Sequence, residues 1–463
     1  LSFKELICWL RGSWISLKPQ NPCEVKFLLG SGEQSKIFEK KNLLHVSPHT
    51  LRILALFWHP PIGVVVGAYK RFVDAISYHE NYDVEYDVIE NKPTILPKDI
   101  RSKVYSYRIP FNYSTYSTKL LTMIFGILMM IFLGVKACRK KRYDFLITPV
   151  GELTCSTIPA YVTHLITNVP WTSLACNVPE AYAVIDSSGQ LVMSITKIYG
   201  YYRSLKFSIL NSFLMACYSF FPKIILPKIY SKTKAILCVN RSLSLYLQSL
   251  GTKCKIFGVG TGFNVHVAPN SNIPCDERHN AIFLGRFVPE KGIFDALKVW
   301  RKVVGFFPKA TLALAGYADE VQISAVKNMI KEFNLSENVK VLGTVDEDKK
   351  FRLLRSSDLF LYLGRFESFP NVVAEAMAYG LPVVSYDVPY IRELFSCPAV
   401  LRAPIGDIDS AAMLVCALIR DYEKRRKLSG QALEYVKRFD WNEIAKREVQ
   451  IYYTVLNMYR QRR

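Results

Sequence analysis

The chain has 463 residues, enough for two or three domains, each with its own core. Half of the residues are hydrophobic and 13% aromatic, which excludes a disordered polar chain, and a net charge of +21 calls for an anionic partner: phosphate groups, an acidic membrane surface or nucleic acid. Eleven cysteines lie singly from Cys8 to Cys416, with no Cys-x2-Cys pair and no histidines at zinc spacing, so neither a disulfide framework nor a metal site is expected and a reducing cytosol is the expected setting.

Residues 1–50 show no clear periodicity and form an extension without an assigned function. They lack the basic, apolar, small-residue layout of a secretory signal, so none is expected. From residue 51 the rhythm of an α/β protein begins. Arg52–Trp58 reads as a strand, His59–Gly63 as a turn and Gly67–Tyr78 as a helix. Gly63 is a candidate for close approach of backbone to a ligand, though a glycine that merely permits the turn fits equally. Tyr82–Ile89 and Tyr105–Ile109 are further strands.

Leu120–Val135 is sixteen residues without a charge, LLTMIFGILMMIFLGV. As a helix it is about 24 Å long, short of a hydrocarbon core of about 30 Å. Lys136, Arg139, Lys140, Lys141 and Arg142 follow at once. The expectation is a helix lying in an anionic membrane surface, with a buried core helix and a spanning helix as alternatives. Tyr143–Thr148 is a strand, Ser156–Asn168 a helix and Trp171–Cys176 a strand ending at Asn177. Residues 189–230 mix aromatic side chains with lysines, which suits a membrane or lipid-acceptor contact ahead of an ordinary core or a single-stranded nucleic-acid surface. Ala235–Asn240 reads as a strand, Ser242–Leu250 as a helix, and Ile256–Asn264 as a strand with a glycine turn. The polar, proline-containing stretch Ala268–Asn280 reads as a domain linker.

The second half repeats the rhythm. Ala281–Phe287 is a strand, Val288–Gly292 a turn and Ile293–Phe306 a helix. Gly285, Arg286 and Lys291 bracket that strand-to-helix loop. Two cations at a helix start make a diphosphate site, because arginine binds two oxygens as a fork and lysine adds a point charge. Two surface cations are the plainer reading. Thr311–Gly316 and Val339–Gly343 are strands, Val321–Phe333 is a helix, and Asp346–Ser356 leads into the strand Asp358–Leu363. Gly364–Gly380 then reads GRFESFPNVVAEAMAYG, before the strand Leu381–Ser385. Pro370 sits where a helix would begin, with Ser368 or Phe369 as cap, Asn371–Tyr379 as the helix and Gly380 ending it. Glu367 lies in the loop and Glu375 on the helix, at the crevice where open α/β sheets bind ligands. The loop carboxylate suits sugar hydroxyls and the helical one a ribose diol. A bare Glu-x7-Glu pair is common, and solvated charges explain it as well.

The Glu367–Asn371 turn, the Ala374–Gly380 helix segment and the Leu381–Val384 strand resemble the donor-site signature of retaining GT-B glycosyltransferases of the family 4 type (glycosyl transferases group 1). The match is specific here and weaker over the rest of 51–455. The resemblance implies an α/β fold of two Rossmann-like domains with parallel sheets facing across a cleft. Their spans would be 51–266 on the acceptor side and 281–440 for the nucleotide sugar, with the helix of 441–463 crossing back. It implies transfer of a sugar from a nucleotide diphosphate sugar, with retention, to a hydroxyl or phosphate acceptor that the apolar, basic first domain suggests is lipid-linked or glycan. It makes Glu367, Arg286 and Lys291 catalytic. Donor binding would fall to Gly63, Gly285, Arg286, Lys291, Glu367, Ser368, Phe369, Pro370, Asn371, Val372 and Glu375. No metal or other cofactor and no nucleic-acid partner is expected. The chain departs from the family at Asn177, near which many members carry a histidine, and at Gly364, where a serine is usual. Asn177 keeps a second reading open, a non-catalytic nucleotide-sugar-binding or membrane scaffold protein. The expected location is cytoplasmic, held peripherally at the inner membrane face through 120–142 and 189–230.

Overall fold

A computed structural model describes residues 25–27, 50–57, 66–90, 103–106, 116–149, 156–175, 184–185, 191–192, 225, 228–240, 243–244, 247–248, 252–263, 277–365, 367 and 369–461. Gly63, Asn177, Ser368 and most of 189–230 lie outside the described residues.

Short runs of apolar residues without polar alternation form strands covered on both faces, as parallel sheets require. The first half contributes β1 (Val25–Phe27), β2 (Leu51–Phe57), β3 (Val84–Glu90), β4 (Lys103–Ser106), β5 (Phe145–Thr148) and β6 (Trp171–Ala175). After the small antiparallel pair β7 (Val184–Ile185) and β8 (Leu191–Val192) come β9 (Ala235–Cys238) and β10 (Lys255–Gly258). Apart from that pair they form one parallel sheet in the order β1-β10-β9-β6-β5-β2-β3-β4. Helices α1 (Val66–His79), α2 (Tyr116–Lys140) and α3 (Thr157–Thr167) make crossovers between its strands. The extension of 1–50 thus supplies an edge strand, β1, that the sequence does not announce.

The second half forms a six-stranded parallel sheet from β11 (His279–Leu284), β12 (Leu312–Ala315), β13 (Val339–Gly343), β14 (Ser357–Tyr362), β15 (Val383–Tyr386) and β16 (Val400–Ala403). Their order is β13-β12-β11-β14-β15-β16. The connections run outward to one side from β11 and to the other from β14. The switch point, where two neighbouring loops part and leave a crevice, therefore lies between β11 and β14. Around this sheet pack α4 (Ile293–Phe306), α5 (Glu320–Glu332), α6 (Glu347–Arg355), α7 (Asn371–Ala378), α8 (Pro389–Leu394), α9 (Ile408–Arg420) and α10 (Tyr422–Val436). Two Rossmann-like units with separate cores result, the GT-B architecture.

The last helix, α11 (Trp441–Arg460), leaves the second unit and packs on the first. Its Val449, Ile451, Tyr452, Val455 and Leu456 belong to the core under β2 and β5, whereas Phe439 just before it belongs to the second core. Trp441 rests on Gly262, where any Cβ would overlap the indole, and stacks on Tyr78 at 6.0 Å. A buried ion pair, Arg71–Glu448 at 3.1 Å, joins α1 to α11, and Arg71 also donates to the Gly260 carbonyl at 3.0 Å.

Helix α2 is neither wholly buried nor wholly free. Gly126, Met130, Gly134 and Ala137 face inward, with Gly134 against Thr163 of α3. Ile124, Leu128 and Phe132 are 47%, 60% and 58% exposed, a ridge of large apolar groups along the opposite side. Among the described residues no helix is long and apolar enough to cross a membrane.

Candidate functional site

The β11-to-α4 loop and the β14-to-α7 loop meet at the switch point. Their contact depends on Gly292, held at φ +80° at the start of α4. A Cβ there would overlap the Leu363 carbonyl at the end of β14, so only glycine lets the two loops come this close. The next loop is fitted the same way: at Gly316 (φ +146°) a side chain would collide with the Gly285 carbonyl. Backbone bonds lock the contact. The Arg365 N–H donates to the Glu290 carbonyl at 3.0 Å, and the Gly285 N–H to the Ala315 carbonyl at 3.1 Å.

Lys291, at the end of the short turn Pro289–Lys291, forms an ion pair with Glu367. Both side chains are mostly buried. Arg286 is half-buried in the same loop, its carbonyl accepting from the Val288 N–H at 2.9 Å. One helix further on, Glu375 of α7 pairs with Lys350 of α6 at 3.0 Å, again with both groups largely shielded. The two glutamates of the motif are thus each matched by a lysine from another βα unit.

The start of α7 differs from the expected cap. Pro370 is the N-cap itself and carries no side-chain cap bond, and Asn371 is the first helical residue. A residue at the cap has non-helical dihedrals, and Pro370 at ψ 82° has them. Phe369 turns inward against Phe395 (5.9 Å) and Phe439 (5.4 Å), so its ring is core and only its backbone faces the loop. Asn371 and Val372 are half-buried in the first turn, and the Asn371 amide donates to the Phe369 carbonyl at 3.0 Å.

Several residues of the crevice carry no motif. Asp295, in the first turn of α4, accepts from Arg365 at 2.7 Å and from the Tyr386 hydroxyl at 3.0 Å. Burial works against its charge, but those hydrogen bonds outweigh it and hold its carboxyl below the usual range. Tyr390 donates to the Gly364 carbonyl at 3.0 Å and lies 3.2 Å from the Tyr362 hydroxyl. Burial, then the neighbouring Tyr390 and Glu367, push the Tyr362 phenol far up. One signal was available: Asp295 interrupts the apolar face Ile293, Ala296, Leu297, Trp300 of α4, and a carboxylate there needs a partner. Lys350 has no such mark. Among the described residues no group of three or more His, Cys, Asp or Glu side chains could hold a metal ion.

Two Rossmann-like units with parallel sheets, the second with its switch point between β11 and β14, make the GT-B fold. Residues 270–435 match the family model described as Glycosyl transferases group 1. The phosphatidyl-myo-inositol mannosyltransferase of Mycolicibacterium smegmatis is 31% identical over 183 residues, 39% of this chain and 46% of that protein. The GDP-mannose:cellobiosyl-diphosphopolyprenol alpha-mannosyltransferase of Xanthomonas oryzae is 26% identical over 182 residues, 38% of this chain and 47% of that protein. The match thus spans about half the length of these curated relatives. Among solved structures, sucrose-phosphate synthase from Thermosynechococcus elongatus superposes with a TM-score of 0.67 at 16% identity, covering 88% of this chain and all of that one. Anabaena HepE in complex with UDP and glucose gives 0.63 at 15% identity, covering 87% of this chain and all of that one. These structural likenesses speak for the fold.

Proposed function

We propose that the chain transfers a sugar from a nucleoside diphosphate sugar to a lipid-linked or glycan acceptor, with retention at the anomeric carbon. The observation that carries this reading is the meeting of Lys291 and Glu367 across the switch point, beside Arg286. In the reaction the bond between the anomeric carbon and the diphosphate oxygen breaks, and its electron pair leaves on the diphosphate. Arg286 and Lys291 take up that charge from fixed positions, so little reorganisation is needed as it develops. An acceptor oxygen bonds to the anomeric carbon on the same face, and its proton passes to the departing phosphate oxygen. Glu367 holds the donor sugar's hydroxyls, Glu375 the ribose diol, and the backbone of 369–372 the phosphates or sugar.

The acceptor assignment draws on two relatives whose names specify phosphatidyl-myo-inositol and a diphosphopolyprenol. It also draws on the exposed ridge of α2 beside Lys136, Arg139 and Lys140, which suits an anionic membrane face on the cytoplasmic side. The test is release of nucleoside diphosphate from UDP-glucose and GDP-mannose by wild type and Glu367→Ala. Wild type should turn one of them over, and the variant should be slower by about a hundredfold. Turnover by neither protein would favour a non-catalytic binding protein.

A further inference from the structure

Lys291 donates to Glu367 in this structure. A donor diphosphate competes for the same ammonium, and where it draws Lys291 away the loop carrying Glu367 needs another hold. Arg365 supplies one. Its guanidinium reaches Asp295 of α4 at 2.7 Å and lies 6.0 Å from the Tyr386 ring centre. Its own N–H is bonded to the Glu290 carbonyl at 3.0 Å. Asp295 is fixed in turn by the Tyr386 hydroxyl from β15 and by Lys298 at 3.5 Å. Lys291 and Asp295 stand four residues apart on one segment, Glu367 and Arg365 two residues apart on the other. The two ion pairs are therefore two rungs between the same segments.

We propose that Arg365 and Asp295 are positioning residues that keep the Glu367 loop in register when Lys291 is given over to the donor diphosphate. Only the Lys291 rung uses a cation for which the donor competes. The Asp295 rung is anchored from three elements, α4, the β14 loop and β15, and its carboxylate is the buried charge of an otherwise apolar helix face. This role rests on the glycosyl-transfer reading above, but the mechanical claim can be tested without it.

The first measurement is hydrogen exchange at the Arg365 amide without ligand, in wild type, Lys291→Met, Arg365→Met and the double variant. One remaining rung should keep exchange within about threefold of wild type, and loss of both should speed it by about tenfold or more. A double variant no faster than the single ones, or Lys291→Met alone as fast as the double, would overturn the clamp. The second measurement is kinetic, with whichever of UDP-glucose or GDP-mannose wild type hydrolyses. Arg365→Met and Asp295→Asn should lower kcat by about tenfold while UDP or GDP affinity stays within about twofold, and Arg365→Lys should recover most of the loss. An unchanged kcat, or kcat, affinity and Tm falling together, would show a fold contact with no positioning role. If wild type hydrolyses neither donor, the transfer reading fails and the exchange experiment still decides the clamp.

Discussion

At the scale of single residues, function and stability rest on different charged groups. Lys291→Met deletes the cation that faces Glu367, and with it the charge-assisted bond of about 1.5–3 kcal/mol that the ammonium would make to a donor diphosphate. Affinity for UDP or GDP, read by titration calorimetry, should fall by about ten- to a hundredfold. Glu448 is a matter of stability. Its carboxyl would be pushed up by burial, but the Arg71 guanidinium and the neighbouring His79 hold it down to about 2, against an ordinary 4.5. A group whose folded value is depressed stabilises fully above its unfolded value and loses that contribution as pH falls through the folded one. Wild type should therefore shed on the order of 3 kcal/mol between about pH 4.5 and 2 from this group. Glu448→Gln should lack that component of the decline and be about 3–5 kcal/mol less stable at neutral pH, because Arg71 is left unpaired in the core. Urea unfolding across pH checks both. The motif residues Gly285, Arg286, Lys291, Glu367 and Glu375 were legible as candidates through the resemblance to a donor-site signature, because the bare spacing of two glutamates is common. Their partners were not: Asp295 and Arg365, like Lys350 and Glu375, meet only through strand order and helix packing, which no local spacing encodes.

At the scale of elements, the parallel strands were readable as unbroken apolar runs, and most of their bounds moved by only one or two residues. β1 and β16 were not, since strands of three and four residues at a sheet edge leave no periodic trace. For α2 the apolar length was plain and the facing was not. Residues 120–135 are apolar on every side, and the side that is buried carries the small residues Gly126, Gly134 and Ala137, of which Gly134 lies against Thr163 of α3. That left Ile124, Leu128 and Phe132 outside, ending in a basic collar. Leu128→Asp with Phe132→Asp should weaken binding to anionic vesicles by at least about tenfold, since each side chain contributes about 1.5–3 kcal/mol when fully buried in an apolar phase. The Tm should hardly change. Met130→Asp on the inward face should instead lower the Tm steeply. Cosedimentation at low salt and calorimetry separate the two faces. Equal binding by the double variant would remove α2 as the membrane contact.

At the scale of the whole molecule, the two cores depend unequally on the end of the chain. The second core closes at Phe439 and holds both rungs of the crevice, so it contains its own capping residues. The first core is incomplete without α11: Ile451 and Val455 are fully buried in it, and the Glu448 carboxylate neutralises Arg71 there. The Tyr459 hydroxyl also donates to the Trp171 carbonyl at 2.9 Å across the sheet end. A chain ending at Asp440 would expose that apolar surface and strand a buried arginine, two losses that each exceed about 3 kcal/mol and together approach the whole stability of a domain. Its first domain should lose cooperative unfolding in calorimetry while the second keeps a transition of its own. If the nucleotide is held by the second domain alone, UDP or GDP should still raise that remaining transition, with affinity within about fivefold of the full chain. Loss of the nucleotide effect with the second transition intact would mean that the first domain supplies part of the pocket, and the crevice between β11 and β14 would then be only half of the site.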